Sequence, residues 1–358
     1  MTAVFDHLWL RGLFGDDEAA AIWAPHRQFA HMLAFEAAYT RALGAVGKAH
    51  PDAAEMVAKT IEGFKPDIAD LRTGTAFDGV PIPALIDQLR RAAGNNGKIV
   101  HTGATSQDVI DTALSLALRE FNLLVDRRIS NITEALTQLI EQFGENALMG
   151  QTRMQAALPI SVADRLRTWL DPLNDHQKRL RAIKPQVELL QLGGPVGNRT
   201  SMAPHGDAIA AHMASELKLA NPSNCWHTKR DGLADYASIM SLITGSLGKM
   251  GQDVCLMAQH GVDEVALVSG GQSSAMPHKK NPILAELLVA LARFNATQLS
   301  GMHHALVHEQ ERSGAAWMLE WMTLPQMAMV TARSLSAAHH LVETITSVGC
   351  LAAAQAAS

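Results

Sequence analysis

The chain has 358 residues and a formal net charge of −5, with 30 Lys and Arg against 35 Asp and Glu. That balance argues against nucleic acid or an acidic membrane surface as a partner, and an anionic substrate would have to be held by local cations against the overall charge. Three widely spaced cysteines, Cys225, Cys255 and Cys350, lie outside any CxxC pattern and read as reduced interior thiols of a cytoplasmic protein; Met1 to Asp6 open no basic-then-apolar leader, and no uncharged run is long enough to span a bilayer.

Taken in chain order, residues 1–100 read as a domain of short helices joined by loops, including the turn-rich Asp78-Gly79-Val80-Pro81-Ile82-Pro83. From 101 to 358 the pattern changes to a long helical bundle. Ile110, Leu114, Leu118, Phe121, Val125, Ile129, Ile132, Leu136, Leu139 and Phe143 recur at steps of three or four, without Gly or Pro between 104 and 143. That period predicts one helix of about 60 Å, far longer than the usual globular helix. A second helix is expected after Pro159 with a kink at Pro172, a third from Asp231 past Met257, a fourth from Pro282, and a fifth over about 315–348 interrupted at Pro325. Strand signals are nearly absent, so the expected fold is all-α. The third helix sets Ile239, Met240, Leu242 and Ile243 almost side by side; a helix apolar on several faces is buried in a large core or between subunits, which predicts an oligomer.

Three polar segments stand before helices. His101-Thr102-Gly103-Ala104-Thr105-Ser106-Gln107-Asp108 precedes the longest one, with Thr105 and Asp108 spaced as a capping box. Gly150-Gln151-Thr152-Arg153-Met154-Gln155-Ala156-Ala157-Leu158-Pro159 is the second. The third, Gly270-Gly271-Gln272-Ser273-Ser274-Ala275-Met276-Pro277-His278-Lys279-Lys280-Asn281-Pro282, joins a glycine hinge, two hydroxyls and a lysine to a helix start, with Asn281 as the expected cap and Pro282 as the first helical residue. Helix N-termini offer free N–H groups and partial positive charge to anions. One such segment is ordinarily a helix cap; three in one chain point to a site for several carboxylates.

The string from Ser273 to Asn281 resembles the signature of the fumarase/aspartase superfamily, Gly-Ser-Ser-x-Met-Pro-x-Lys-x-Asn, with Gln272 where glycine is usual. The other two segments resemble, in the same order, its His-x-Gly-x-Thr-Ser-x-Asp and Thr-His-x-Gln-x-Ala-x-Pro blocks, the latter with Arg153 at the histidine position. Trp226-His227-Thr228-Lys229-Arg230-Asp231, His308-Glu309-Gln310-Glu311-Arg312-Ser313 with Trp317, Glu320 and Trp321, and the start through Phe14-Gly15-Asp16 and Phe35-Glu36 are similar to the 3-carboxy-cis,cis-muconate cycloisomerase branch. The resemblance covers nearly the whole chain. It implies a long-helix bundle, a homotetramer whose active sites are shared between subunits, a small polycarboxylate substrate and lactonisation without cofactor or metal. Family members usually carry a small C-terminal helical domain, and the expectation here, where an Ala-rich tail follows the fifth helix, is that it is missing.

By match to the family pattern, Ser273 is the expected proton-transferring residue and Lys279 its activating partner. Substrate binding falls to His101, Thr105, Ser106, Arg153, Gln155, Ser274, Met276, Asn281 and Arg312. Arg153 matters most for the branch, because the histidine it replaces is the proposed proton donor of adenylosuccinate-type lyases, and arginine is a poor acid but a good carboxylate clamp. Arg312 could equally form a surface ion pair with Glu309 or Glu311. The rival readings are an adenylosuccinate-type C–N lyase and a catalytically silent helical tetramer. Zinc binding by His304 and His308, four apart on a helix, is disfavoured because Arg312 stands where a metalloprotease motif needs histidine, and a Ser-His-Asp hydrolase because Ser273 lacks a Gly-x-Ser-x-Gly elbow.

Overall fold

The computed structural model describes residues 3–268, 270–272, 276 and 280–350. The expected all-α architecture is present. The axis is the helix Ser106–Phe143, 38 residues and so about 57 Å long, opened by the Thr105–Asp108 capping box. Around it stand Val162–Val187, Asp231–Met257, Ile283–His304 and Ala315–Glu343. Their apolar stripes form one core, with Phe121, Ile129, Leu136, Trp169, Met240, Ile243, Leu288, Met327 and Leu335 all essentially inaccessible. Each such side chain contributes on the order of 1.5–3 kcal/mol of burial. Close approach of Asp231–Met257 to Ile283–His304 depends on Gly248 and Gly251: a Cβ at the first would lie 2.5 Å from the Ala292 Cβ, and at the second 2.5 Å from the Ala285 carbonyl.

A second core joins Pro25–Ala45, Pro51–Glu62 and Ile82–Ala92 to the segment around Leu190, Leu192, Met202, Ile209 and Met213. Val109, Ala113 and Leu116 belong to it, whereas Leu118 and every buried apolar residue farther along the same helix belong to the first core. The long helix therefore runs through both, and its N-terminal turns lie where they meet.

Several expectations are corrected. Residues 147–161 do lead into a helix, which begins at Val162 and is capped by Ser161, but they form an unforeseen antiparallel hairpin, Ala147–Thr152 against Gln155–Ser161. Pro172 lies inside that helix, as expected, and so does Pro185. Asn281 is not a cap: it pairs with Gly271 in a two-residue ribbon, and Pro282 takes the N-cap position instead. Pro325 does not interrupt Ala315–Glu343, and Ile345–Val348 is a strand paired with Val265–Leu267. On the helix Asp231–Met257, whose apolar faces predicted burial in a core or between subunits, Ile239, Met240 and Ile243 are buried in the single chain and Leu242 is 49% exposed, an exposure that does not bear against the expected oligomer. Cys225 and Cys255 are half-buried and Cys350 is exposed, so the thiols are not uniformly interior. No helix among the described residues is long and apolar enough to cross a membrane.

Candidate active site

Residues three and four apart share a helix face, so the first turns of Ser106–Phe143 present Gln107, Asp108 and Asp111 together. All three are fully buried at the meeting of the two cores. A buried carboxylate is tolerated only when hydrogen bonds and charge replace its water. For Asp108 these come from the Thr105 N–H at 3.1 Å, the Gly193 and Gly194 N–H groups at 2.7 and 2.9 Å, and His227 Nε2 at 2.9 Å. Gly194 is in the left-handed region at φ 70°, and a Cβ there would sit 2.6 Å from Ser201 Oγ. Burial opposes a charge on His227, but Asp108 and Cys225 together outweigh it and push the ring up to about 9.

Asp111 accepts from Arg230 at 2.7 Å, Trp317 Nε1 at 3.1 Å, Gln107 at 3.1 Å and Gln191 at 3.2 Å. Arg230 also donates to both oxygens of Glu320, through Nε at 2.8 Å and through Nη2. Burial would lower the guanidinium's pKa, yet the two carboxylates raise it and keep the group charged. The segments 226–231 and 308–321 are thus joined to the start of the long helix. His308 is no ligand four residues along a helix from His304, because that helix ends at His304; its buried ring lies 3.4 Å from Glu320. Among the described residues no group of three or more His, Cys, Asp or Glu could hold a metal ion.

The loop above this floor carries the first predicted binding residues. His101 stands at φ 62°, a left-handed conformation that persists only where its surroundings enforce it. Its Nδ1 lies 2.6 Å from Oε1 of the fully buried Glu36; burial opposes protonation of the ring, and Glu36 outweighs it, raising the pKa. Tyr39 donates to the Thr102 carbonyl and Ser201 to that of Gly103, each at 2.6 Å, which fixes the loop. Thr105 and Ser106 follow, both half-buried. Arg312 makes no ion pair with Glu309 or Glu311: it donates to Gln107 Oε1 at 3.2 Å and to the Pro195 carbonyl at 3.1 Å. His101, Thr105, Ser106 and Arg312 therefore belong to one neighbourhood.

Arg153 and Gln155 do not join it within the chain. They lie at the hairpin tip, exposed, and among the described residues make no hydrogen bond or ion pair with the cluster. Met276 is exposed and Asn281 half-buried, while Ser273, Ser274 and Lys279 lie outside the described residues. Sequence reasoning missed Asp111, Gln191, the Gly193–Gly194 amides and the partnership of Glu36 with His101. The one available signal was the polar stripe Gln107, Asp108, Asp111 on an otherwise apolar helix face.

Comparison with known proteins bears on this arrangement. Residues 17–296 match the family model described as Lyase. The chain is 35% identical over 330 residues to a 3-carboxy-cis,cis-muconate cycloisomerase of Pseudomonas aeruginosa, covering 90% of this chain and 72% of that protein. It is 33% identical over 327 residues to an N-acetyl-S-(2-succino)cysteine lyase of Enterococcus italicus, with the same coverages. Among solved structures, the 3-carboxy-cis,cis-muconate lactonizing enzyme of Pseudomonas putida superposes with a TM-score of 0.89 at 31% identity, over 95% of this chain and 77% of that one. The chain belongs to the lyase family of the fumarase/aspartase superfamily.

Proposed function

We propose that this lyase-family enzyme is a cycloisomerase that closes 3-carboxy-cis,cis-muconate to 4-carboxymuconolactone, a step of protocatechuate breakdown. The observation that carries the reading is the convergence of Trp226–Asp231 and His308–Trp321, the two segments similar to that branch, on the start of the long helix through Asp111, Arg230, Trp317 and Glu320. One substrate carboxylate oxygen adds to the distal carbon of a C=C bond. The π electrons move to the neighbouring carbon and its carboxylate as an aci-carboxylate, and one proton delivered to carbon completes the lactone. Donors preorganised where that charge develops are usually the largest catalytic contribution, about 3 kcal/mol each.

Ser273 delivers the proton in this reading, with Lys279 stabilising its alkoxide and the Gly270–Gly271 hinge allowing the loop to close and exclude water. Thr105, Ser106, Gln155, Ser274 and Asn281 bind carboxylates, Met276 lines the loop side, and Arg153 and Arg312 supply positive charge. His101, whose charged form Glu36 favours, orients a carboxylate. The site is completed in a homotetramer: the exposed tip carrying Arg153 and Gln155 serves the loop and floor of other subunits. The cytoplasm is the proposed compartment.

A second reading is elimination of fumarate from a succinylated thioether or amine, favoured by the 33% identical succinocysteine lyase. Ultraviolet assay of the purified protein separates the two. Loss of the diene absorbance of 3-carboxy-cis,cis-muconate, abolished in Ser273→Ala, is the expected result. Fumarate release from N-acetyl-S-(2-succino)cysteine or adenylosuccinate, with the muconate untouched, would overturn it.

A further inference from the structure

Cys225 is half-buried and forms part of the wall of a 250 Å³ pocket whose lining includes Gly197, Asn198, Arg199, Ser223 and Asn224. Beside it stands His227, whose side chain is 2% exposed. One ring nitrogen, Nε2, is committed to Asp108 at 2.9 Å. The other, Nδ1, is buried and has no partner at ordinary hydrogen-bond distance and angle among the described residues; the neighbour it interacts with is the Cys225 thiol. Gly197 lies between them: a Cβ there would lie 2.7 Å from Cys225 Sγ and 3.5 Å from His227 Nδ1, so sulfur and nitrogen border one small space. Gly197, at φ 80°, has no side chain to fill it.

An unpartnered buried imidazole nitrogen is costly unless something accepts its proton or its charge. A thiolate does both. We propose that Cys225, His227 and Asp108 form an aligned thiolate–imidazolium–carboxylate set, and that Cys225 is a modification site for low-molecular-weight disulfides entering the pocket beside Gly197. The proposal does not rest on the reaction proposed above.

The electrostatics agree with the geometry. Asp108 is anchored by three backbone N–H groups and stays available to hold His227 charged up to about 9. Burial works against the Cys225 thiolate, but the charged ring prevails and the thiol sits below its ordinary range. Cys255 provides the internal contrast, because burial and the nearby Glu286 push its thiol up instead. The thiolate, not the thiol, is the nucleophile, and reactive cysteines sit in electropositive, partly open surroundings. In the exchange, Cys225 Sγ attacks one sulfur of the incoming disulfide and a new S–S bond forms. The old S–S bond breaks, and the departing thiolate takes the electron pair and then a solvent proton. His227 keeps its proton throughout. An external dithiol reverses the step. The adduct occupies the space beside Gly197 and withdraws negative charge from His227, so it is felt at Asp108 and at the loop 193–201.

The test uses the full chain with Cys255→Ser and Cys350→Ser, leaving Cys225 as its thiol. Dithiodipyridine is the probe, and thione release is followed from pH 5 to pH 9.5, with site confirmation by loss of the signal in Cys225→Ser. The expected result is a reaction at pH 6 at least about tenfold faster than that of an ordinary thiol, whose thiolate appears only near pH 8.5. His227→Gln should remove that advantage and return the profile to the ordinary range. A Cys225 rate that rises only around pH 8.5 in the His227-containing chain overturns the proposal, and that profile decides it even if His227→Gln does not fold. An unchanged profile in a folded His227→Gln chain overturns it equally.

Discussion

The floor at the start of the long helix and the hairpin 147–161 treat their polar residues in opposite ways. In the floor, Asp108, Asp111, Arg230 and Glu320 are all buried, and each finds its partners within the same chain. At the hairpin tip, Arg153 and Gln155 lie in the open, near an exposed Met154 and Leu158 that no core covers. Charges that are fully satisfied fix a shape. Charges left unsatisfied at a surface are available to something that comes from outside. In the proposed tetramer the first region therefore serves as the scaffold of the candidate site and the second as a part lent to another subunit.

The largest effect expected from this difference is on the scaffold. Arg230→Leu leaves Asp111 and Glu320 buried without their cation, and breaking one side of a buried ion cluster costs about 3–5 kcal/mol. Urea unfolding should show a loss of that order. A change within about 0.5 kcal/mol would mean that the cluster does not stabilise the fold.

Next comes pH. The charged form of His227 is favoured by folding, since its pKa is pushed from 6.5 up to about 9. Its contribution is therefore complete below pH 6.5 and is lost as pH rises through 9, on the order of 3 kcal/mol in all. His31 and His176 move the other way: burial drops both to about 4, so their neutral rings favour the fold above pH 6.5 and that stability is lost as pH falls through 4. Asp108 and Cys225 are the groups that face His227. Unfolding of the native chain and of His227→Gln, compared from pH 6 to pH 10, should show the gap between them narrowing upward. A gap constant across that range would remove His227 as the titrating group.

The smallest stability effect belongs to the hairpin. Arg153→Ala removes no buried partner and should change unfolding by less than about 0.5 kcal/mol. Under the proposed reaction it should nevertheless lower kcat/KM by about a hundredfold, the worth of one well-placed charge–charge clamp. A large loss of stability with full activity would invert the contrast between the two regions.

The long helices were legible because their period is local: ten apolar residues from Ile110 to Phe143 mark one face, and Thr105 with Asp108 marks where the helix starts. The hairpin was not, for physical reasons. Its turn residues, Arg153 and Met154, adopt φ 51° and 66° without the Asn-Gly or Asp-Gly pair that usually announces such a turn. Pro159 lies in its second strand, and the register shifts between Met149 and Gln151, so the alternation is broken where it would have been read. Asn281 reads as a cap in the sequence because its strand partner, Gly271, lies ten residues away. The floor was visible only in pieces. Asp108 and His227 stood in quoted motifs, but Asp111 meets Arg230 119 residues away and Trp317 206 residues away, and no local pattern announces such pairings.

The measurement that bears most directly on the contrast is subunit mixing. Ser273→Ala and Arg153→Ala, each inactive or nearly so alone on 3-carboxy-cis,cis-muconate, would be dissociated, mixed and reassembled. If Arg153 and Ser273 of one site come from different chains, some mixed sites carry both native residues, and diene-consuming activity should return well above that of either variant. Confirmed mixed assemblies with no regained activity would contradict the account, placing Arg153 and Ser273 of one site in the same chain.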